Sequence, residues 1–240
     1  MSAWPLYSLL RGIRTTRWPR QEETAPGVSP GRPQPSADAS GAVVGRCPTA
    51  ALMRIANGVA VDFARCVHCQ RCLHGEDALP WSRDFAWTAH APEGRSSLGR
   101  RFRRSLHVRY IDAGACGGCM GEVRLIDAPP YNLHRFGIFI TATPRDADVL
   151  LVGGPVTEAM RMPLRKAYEA MPEPKRVVAM GVCAINGGVF GKSFASAGGV
   201  AEVVPVDFVI PGCPPPPLAI IHALLAVTGR AQTHASEQQP

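Results

Sequence analysis

Leu106-His107-Val108-Arg109-Tyr110-Ile111-Asp112-Ala113-Gly114-Ala115-Cys116-Gly117-Gly118-Cys119-Met120-Gly121-Glu122 is an apolar, strand-like run that breaks into a glycine-rich turn carrying two cysteines. The two-residue gap between Cys116 and Cys119 lets both sulfurs face one point in space. Two more cysteines follow the same plan. Cys183 lies in Gly181-Val182-Cys183-Ala184 after the apolar run Val177 to Met180, and Cys213 lies in Pro211-Gly212-Cys213-Pro214 after Val203 to Ile210. Each cysteine follows a candidate strand, and in an open parallel sheet the carboxyl ends of the strands share the edge where ligands bind. Four thiolates gathered at one edge point to a cluster site.

Outward from this stretch, residues 106 to 230 alternate between candidate strands and helices. Leu106 to Ile111, Phe136 to Ala142, Val149 to Gly153, Val177 to Met180 and Val203 to Ile210 read as strands. Thr157 to Met171 reads as a helix, with Met160, Leu164, Ala167 and Met171 near helical spacing and a stop at Pro172. A last helix is expected from about Leu218 to Thr228, ended by Gly229. Short apolar runs separated by helices predict an α/β fold with a parallel sheet covered on both faces, flavodoxin-like in outline.

Upstream, Cys47-Pro48 and Cys66-Val67-His68-Cys69-Gln70-Arg71-Cys72 form a second constellation. In bacterial ferredoxins the run is C-x-x-C-x-x-C-x-x-x-C-P, and the cysteine before proline serves the other cluster of a pair. Here Cys47-Pro48 is the tail of one such run, and Cys66, Cys69 and Cys72 are the head of another. Gly75, Glu76 and Asp77 stand where the second cysteine-proline belongs. Together Cys47, Cys66, Cys69 and Cys72 make one complete set of four thiolates for an iron-sulfur cluster. Structural zinc is the alternative occupant, although zinc ribbons bring two separated pairs rather than a triplet. His68 and His74 read as loop residues beside four available thiolates. All eight cysteines of the chain fall into the two sets.

These boundaries predict five parts: an extended or disordered arm over 1–45, a single-cluster ferredoxin-like domain over 46–92, a basic linker over 93–105, the main domain over 106–230 and a disordered tail over 231–240. The arm is rich in proline, glycine and serine, and Trp4, Leu6, Tyr7, Leu9 and Leu10 within it form a short piece able to dock on a partner. The net charge of +7 is uneven: residues 113–230 hold ten basic against nine acidic residues. The excess lies in Arg95, Arg100, Arg101, Arg103, Arg104 and Arg109, and in Arg11, Arg14, Arg17 and Arg20 of the arm. These read either as solvated charge or as a docking surface for an acidic partner or lipid headgroups. Basic stretches without interleaved aromatics, and no helical or RNA-binding signature, argue against nucleic acid.

No run reaches the roughly eighteen apolar residues of a membrane span. The longest candidate, Leu218 to Val227, is interrupted by His222. With no secretory segment, the expected location is the cytoplasm, with any membrane association made through partners. In that reducing compartment cysteines serve as metal ligands rather than as disulfides. Reactive-site signatures are missing as well: there is no P-loop, no dinucleotide-binding Gly-x-Gly-x-x-Gly and no histidine pair at metal-ligand spacing. The chain therefore reads as a carrier of electrons and not as a catalyst by itself.

Several segments resemble the 20 kDa iron-sulfur subunit family: Arg104 to Arg109, Asp112 to Cys119, Arg135-Phe136-Gly137-Ile138, Thr143 to Val152, Gly154-Pro155-Val156-Thr157, Gly187-Gly188-Val189-Phe190 and Pro205 to Pro215. That family includes the B subunit of respiratory complex I and the small subunits of energy-converting, formate-hydrogenlyase-type nickel-iron hydrogenases. The resemblance covers about residues 104 to 228. The front of the chain, including Arg11-Gly12-Ile13-Arg14-Thr15-Thr16-Arg17-Trp18-Pro19, resembles a shortened ferredoxin-like subunit of the same complexes.

By this resemblance Cys116, Cys119, Cys183 and Cys213 hold one 4Fe-4S cluster next to a catalytic large subunit, and the chain carries two 4Fe-4S clusters in all. The implied partners are that large subunit, of hydrogenase or complex I 49 kDa type, with other iron-sulfur and membrane subunits at the cytoplasmic face of the inner membrane. Complex I members carry adjacent cysteines at the first position. The spaced pair here resembles the hydrogenase branch, with a quinone-reducing complex I subunit and a zinc-stabilised, non-redox scaffold as alternatives. Glu122 matches the family's acidic position near the cluster, whereas Met120 and Val182 stand where acids are common.

Overall fold

The computed structural model describes residues 12, 15–25, 27–37, 39, 41–75 and 77–233. The expected docking piece Trp4 to Leu10, Arg11, Arg14, and positions 234–240 of the expected tail lie outside the described residues. In chain order the strands are β1 (Arg32–Pro33), β2 (Leu52–Ile55), β3 (Gly58–Val61), β4 (Trp81–Ser82), β5 (Ala89–His90), β6 (Leu106–Asp112), β7 (Ile138–Ile140), β8 (Val149–Gly153), β9 (Val156–Thr157), β10 (Arg176–Met180), β11 (Ser196–Gly198) and β12 (Phe208–Ile210). The helices are α1 (Gly118–Leu125), α2 (Glu158–Ala170), α3 (Val182–Asn186) and α4 (Pro217–Val227).

Six strands form the main sheet in the order β5-β12-β10-β8-β6-β7. All neighbours are parallel except β5, which runs antiparallel to β12. Numbered among themselves, the parallel strands run second, first, third, fourth, fifth. This is the flavodoxin-like order, and its switch point lies between the first and third strands, here β6 and β8. Val149-Leu150-Leu151-Val152-Gly153 of β8 and all of β10 are buried, as interior parallel strands covered on two faces must be.

Alternate residues feed two cores. Val149 and Leu151 join Leu106, Val108, Val178, Phe208 and the apolar length of α4, while Leu150 and Val152 join Ile111, Val177, Leu164 and Met171 under α2. Every residue of α4 is buried, so this helix is enclosed on all sides rather than amphipathic. His222, which interrupts its apolar run, is satisfied inside: its Nδ1 lies 3.0 Å from the Thr88 hydroxyl.

Two expected strands are shorter. Leu133–Phe136 is a 3-10 turn, so the strand begins only at Ile138 after Gly137. Val200–Glu202 is another 3-10 turn and Pro205 has no amide to give, so β12 begins at Phe208.

In the N-terminal unit the hairpin β2–β3 and the pair β1–β4 enclose a small core of Val43, Leu52, Val59, Val61, Cys72 and Leu79. Two expectations change here. The described part of the expected arm is tied down, because β1 pairs with β4 and Ser36 bridges Val59. Proline-bearing chain is already extended and suits such a short edge strand.

The segment read as a linker is docked as well. Leu98 donates its amide to Val227 O at 2.8 Å, Arg103 Nη2 donates to Gly229 O at 2.9 Å, and Arg176 Nε donates to Ser96 O at 2.6 Å. The buried Asp207 carboxylate accepts from Arg95 Nε at 2.8 Å and from Arg95 Nη2 at 3.1 Å. No helix among the described residues is long and apolar enough to cross a membrane.

Candidate metal centres

The loops at the carboxyl edge of the sheet are shaped by short-range polar contacts. Asp112 Oδ1 accepts the amides of Gly114 at 2.9 Å and Ala115 at 2.6 Å, which folds the chain back as β6 ends. That places Cys116 in the loop and Cys119 in the first turn of α1. Cys183 enters the first turn of α3, and Val182 N donates to Gly212 O at 3.0 Å, tying this loop to the one that carries Cys213.

Glycine makes room for the sulfurs. A Cβ on Gly181 would lie 3.0 Å from Cys119 Sγ, and one on Gly188 would lie 2.7 Å from Cys183 Sγ. Burial pushes the Cys119 thiol up to about 12, with Cys183, Cys213 and Cys116 adding repulsion. Burial, then Cys213 and Cys116, raises Cys183, and burial with Cys116 raises Cys213. Each of these three thiols thus feels at least one neighbouring sulfur. Such neighbours cannot all ionise unless a cation shares their charge, and a coordinating metal deprotonates them outright.

Cys47, Cys66, Cys69 and Cys72 line one small cavity together with Trp81. His68 and Gln70 take left-handed backbone conformations, φ 53° and 61°, and turn the triplet around that space. Burial drives the Cys66 thiol up to about 12, followed by repulsion from Cys72, Cys47 and Cys69. Cys47 goes the other way. Burial opposes its thiolate, but donors at Thr49, Ala51 and Leu52 outweigh it and hold the pKa below the ordinary value. The Ala51 amide lies 3.2 Å from its sulfur. His68 stays neutral, held down to about 4 by burial and the Arg32 charge, with its ring centroid 5.2 Å from that of Trp87.

The N-terminal cysteine loops meet the loop that follows Cys183. An open cleft between them is lined by Pro48, Thr49, Arg65 and Val67 from one side and Asn186, Gly188 and Val189 from the other. Asn186 Nδ2 spans it to donate to Ala64 O at 2.9 Å.

With this geometry in view, the model for the NADH ubiquinone oxidoreductase 20 kDa subunit matches residues 116–227. Over 122 residues the chain is 40% identical to the probable membrane-bound hydrogenase subunit mbhJ of Pyrococcus furiosus, covering 51% of this chain and 73% of that one. The chain belongs to the 20 kDa subunit family. It is also 47% identical over 129 residues to an uncharacterized protein of Methanocaldococcus jannaschii, covering 54% of this chain and 86% of that one. Against formate hydrogenlyase subunit 7 of Escherichia coli it is 39% identical over 135 residues, covering 56% of this chain and 53% of the relative.

Within this 20 kDa subunit relative, the family match includes Cys116, Cys119, Cys183 and Cys213 and leaves Cys47, Cys66, Cys69 and Cys72 outside it. Both groups nonetheless fit a bound cluster on chemical grounds: all-sulfur donors, glycine-cleared space at the sheet edge, and amides directed at sulfur in the N-terminal set. Among the described residues no three His, Cys, Asp or Glu side chains converge as ligands of a single metal ion do. Glu122 is half-buried, its carboxyl raised by burial, and the group whose titration it influences is Tyr131. Trp81, Tyr110 and Asn186 were not singled out as site residues from the sequence, and no spacing or composition signal marks them.

Proposed function

We propose that this chain is an electron-transfer subunit of a multisubunit hydrogenase or complex I-like oxidoreductase, carrying two 4Fe-4S clusters on Cys47/Cys66/Cys69/Cys72 and Cys116/Cys119/Cys183/Cys213. When bound, each cluster supplies one-electron chemistry at a potential set by hydrogen bonds to sulfur, net charge and exposure. The chain contributes the thiolates, the amides and glycines around them, and the apposition of the two loops. That apposition carries the reading: Asn186, three residues beyond Cys183, bonds to Ala64, two residues before Cys66. Electrons are passed between a ferredoxin-type donor and a catalytic large subunit, with membrane subunits reached through partners at the cytoplasmic face. The Cys116–Cys119 spacing and the relatives named as a membrane-bound hydrogenase subunit and a formate hydrogenlyase subunit support the hydrogenase branch.

The test is anaerobic purification of the full chain with iron, sulfide and zinc analysis and EPR after reduction. About eight irons per chain and two cubane signals are expected for two four-iron sites. Zinc in their place, or iron near zero, would overturn the proposal in favour of a non-redox scaffold.

A further inference from the structure

Three buried aromatic donors, Trp81 Nε1, Trp87 Nε1 and Tyr110 Oη, lack a hydrogen-bond partner among the described residues. Of these, Trp81 stands at one cysteine set and Tyr110 at the other. Leaving a buried donor unpaired costs about 1–3 kcal/mol, so such groups call for an acceptor. Trp81 lines the same cavity as Cys47, Cys66, Cys69 and Cys72. Tyr110 lies on β6 with its hydroxyl against the carboxyl end of β8, where a Cβ on Gly153 would come within 2.7 Å of it. It packs against the same core as Cys119.

Of the other unpaired atoms, the arginine nitrogens have local explanations, whereas Trp87 Nε1 and His68 Nδ1 belong to residues that do not line the cysteine cavity. Arg32 and Arg230 are anchored through other nitrogens, to Asp84 and to Phe136 O. Trp87 and His68 pack edge-on to each other.

Resting on the two-cluster reading, we propose that Trp81 Nε1–H and Tyr110 Oη–H each donate a hydrogen bond to one bound cluster or its ligand sulfur, and so set the two potentials separately. A donor to sulfur stabilises the reduced, more negative state more than the oxidised one and raises the potential. Neither residue is a ligand or a proton carrier. Each acts on the redox equilibrium of its own site.

The experiment is an EPR-monitored redox titration of the full chain, wild type against Trp81→Phe and Tyr110→Phe, which keep the ring and remove only the donor. Cys66→Ser and Cys183→Ser assign each signal to its set. Trp81→Phe is expected to shift only the N-terminal cluster to lower potential, and Tyr110→Phe only the sheet-edge cluster. Each shift should be near tenfold in the reduction equilibrium, about 59 mV for a one-electron couple, with iron content unchanged. A variant whose own cluster keeps the wild-type midpoint overturns the assignment of that residue, and equal shifts of both clusters overturn the separation. A wild-type chain without iron defeats the two-cluster reading itself and is distinguished from these outcomes by the metal analysis.

Discussion

The side-chain amide of Asn186 donates to the main-chain carbonyl of Ala64 at 2.9 Å, although the two residues are 122 positions apart. One belongs to the helix that carries Cys183, the other to the turn that leads into Cys66. This bond is exposed, so its net worth is modest, about 0.5–1 kcal/mol. Asn186→Ala is expected to lower the unfolding free energy by that amount. It should also speed amide exchange between Gly187 and Gly191 while leaving iron content intact. Unchanged exchange in that loop would mean that the bond does not hold the two cysteine loops together.

The strongest anchor of the docked basic segment is Asp207. Its carboxylate, almost fully buried, accepts from Arg95 N, Arg95 Nε and Nη2, and the Val177 amide at 2.8 Å. Asp207→Ala strips acceptors from all of these at once, including a buried strand amide, and is expected to cost about 3 kcal/mol or more. Arg95→Ala should cost less than Asp207→Ala, because the carboxylate keeps the Val177 amide and the exposed side of Arg95 leaves room for water. Chemical denaturation of both variants checks the order. Equal losses would show that the ion pair alone carries the effect.

The parallel strands were legible in the sequence because burial on two faces writes a continuous apolar run, as in Val149 to Gly153. The cysteine grouping was legible because thiolates report chemistry wherever they stand. β5 was not legible: a two-residue strand has no periodicity, and its place at the sheet edge depends on His90 packing over Phe208, ring centroids 4.4 Å apart. α1 and α3 were hidden for a related reason. The first contains Gly118 and Gly121, poor helix formers, and the second spans only five residues. Composition made residues 1–45 look loose throughout, but pairing depends on what lies opposite, and Trp81–Ser82 lies opposite Arg32–Pro33. The roles assigned to Trp81 and Tyr110 are wholly spatial, so no run of residues could have announced them.

Trp18 tests how far the front of the chain belongs to the fold. Its ring meets Phe85 edge-on at 5.5 Å between centroids and lies 6.3 Å from Phe136 and from His222. Arg135 Nη2 donates to Trp18 O at 2.7 Å. Trp18→Ala is expected to cost about 2–3 kcal/mol, below the range for a fully buried tryptophan because the side chain is partly exposed. A thermal scan that matches wild type would return this segment to the status of a loose arm.

Glu122 supplies a dependence on pH whose direction follows from its burial in α1. Burial holds its carboxyl above the ordinary value of 4.5, so the folded chain binds the proton more readily than the unfolded one. Its contribution to stability is full below 4.5 and is lost as pH rises through the raised value. At neutral pH the folded protein therefore carries a partly desolvated charge. Glu122→Gln removes that charge while keeping the shape, and its melting temperature should exceed that of wild type at pH 7.5. The gap should close as pH falls through the raised value toward 4.5, where both states hold the proton. A wild type that melts higher than the variant at pH 7.5 would show that the carboxylate is stabilised by a contact rather than penalised by burial.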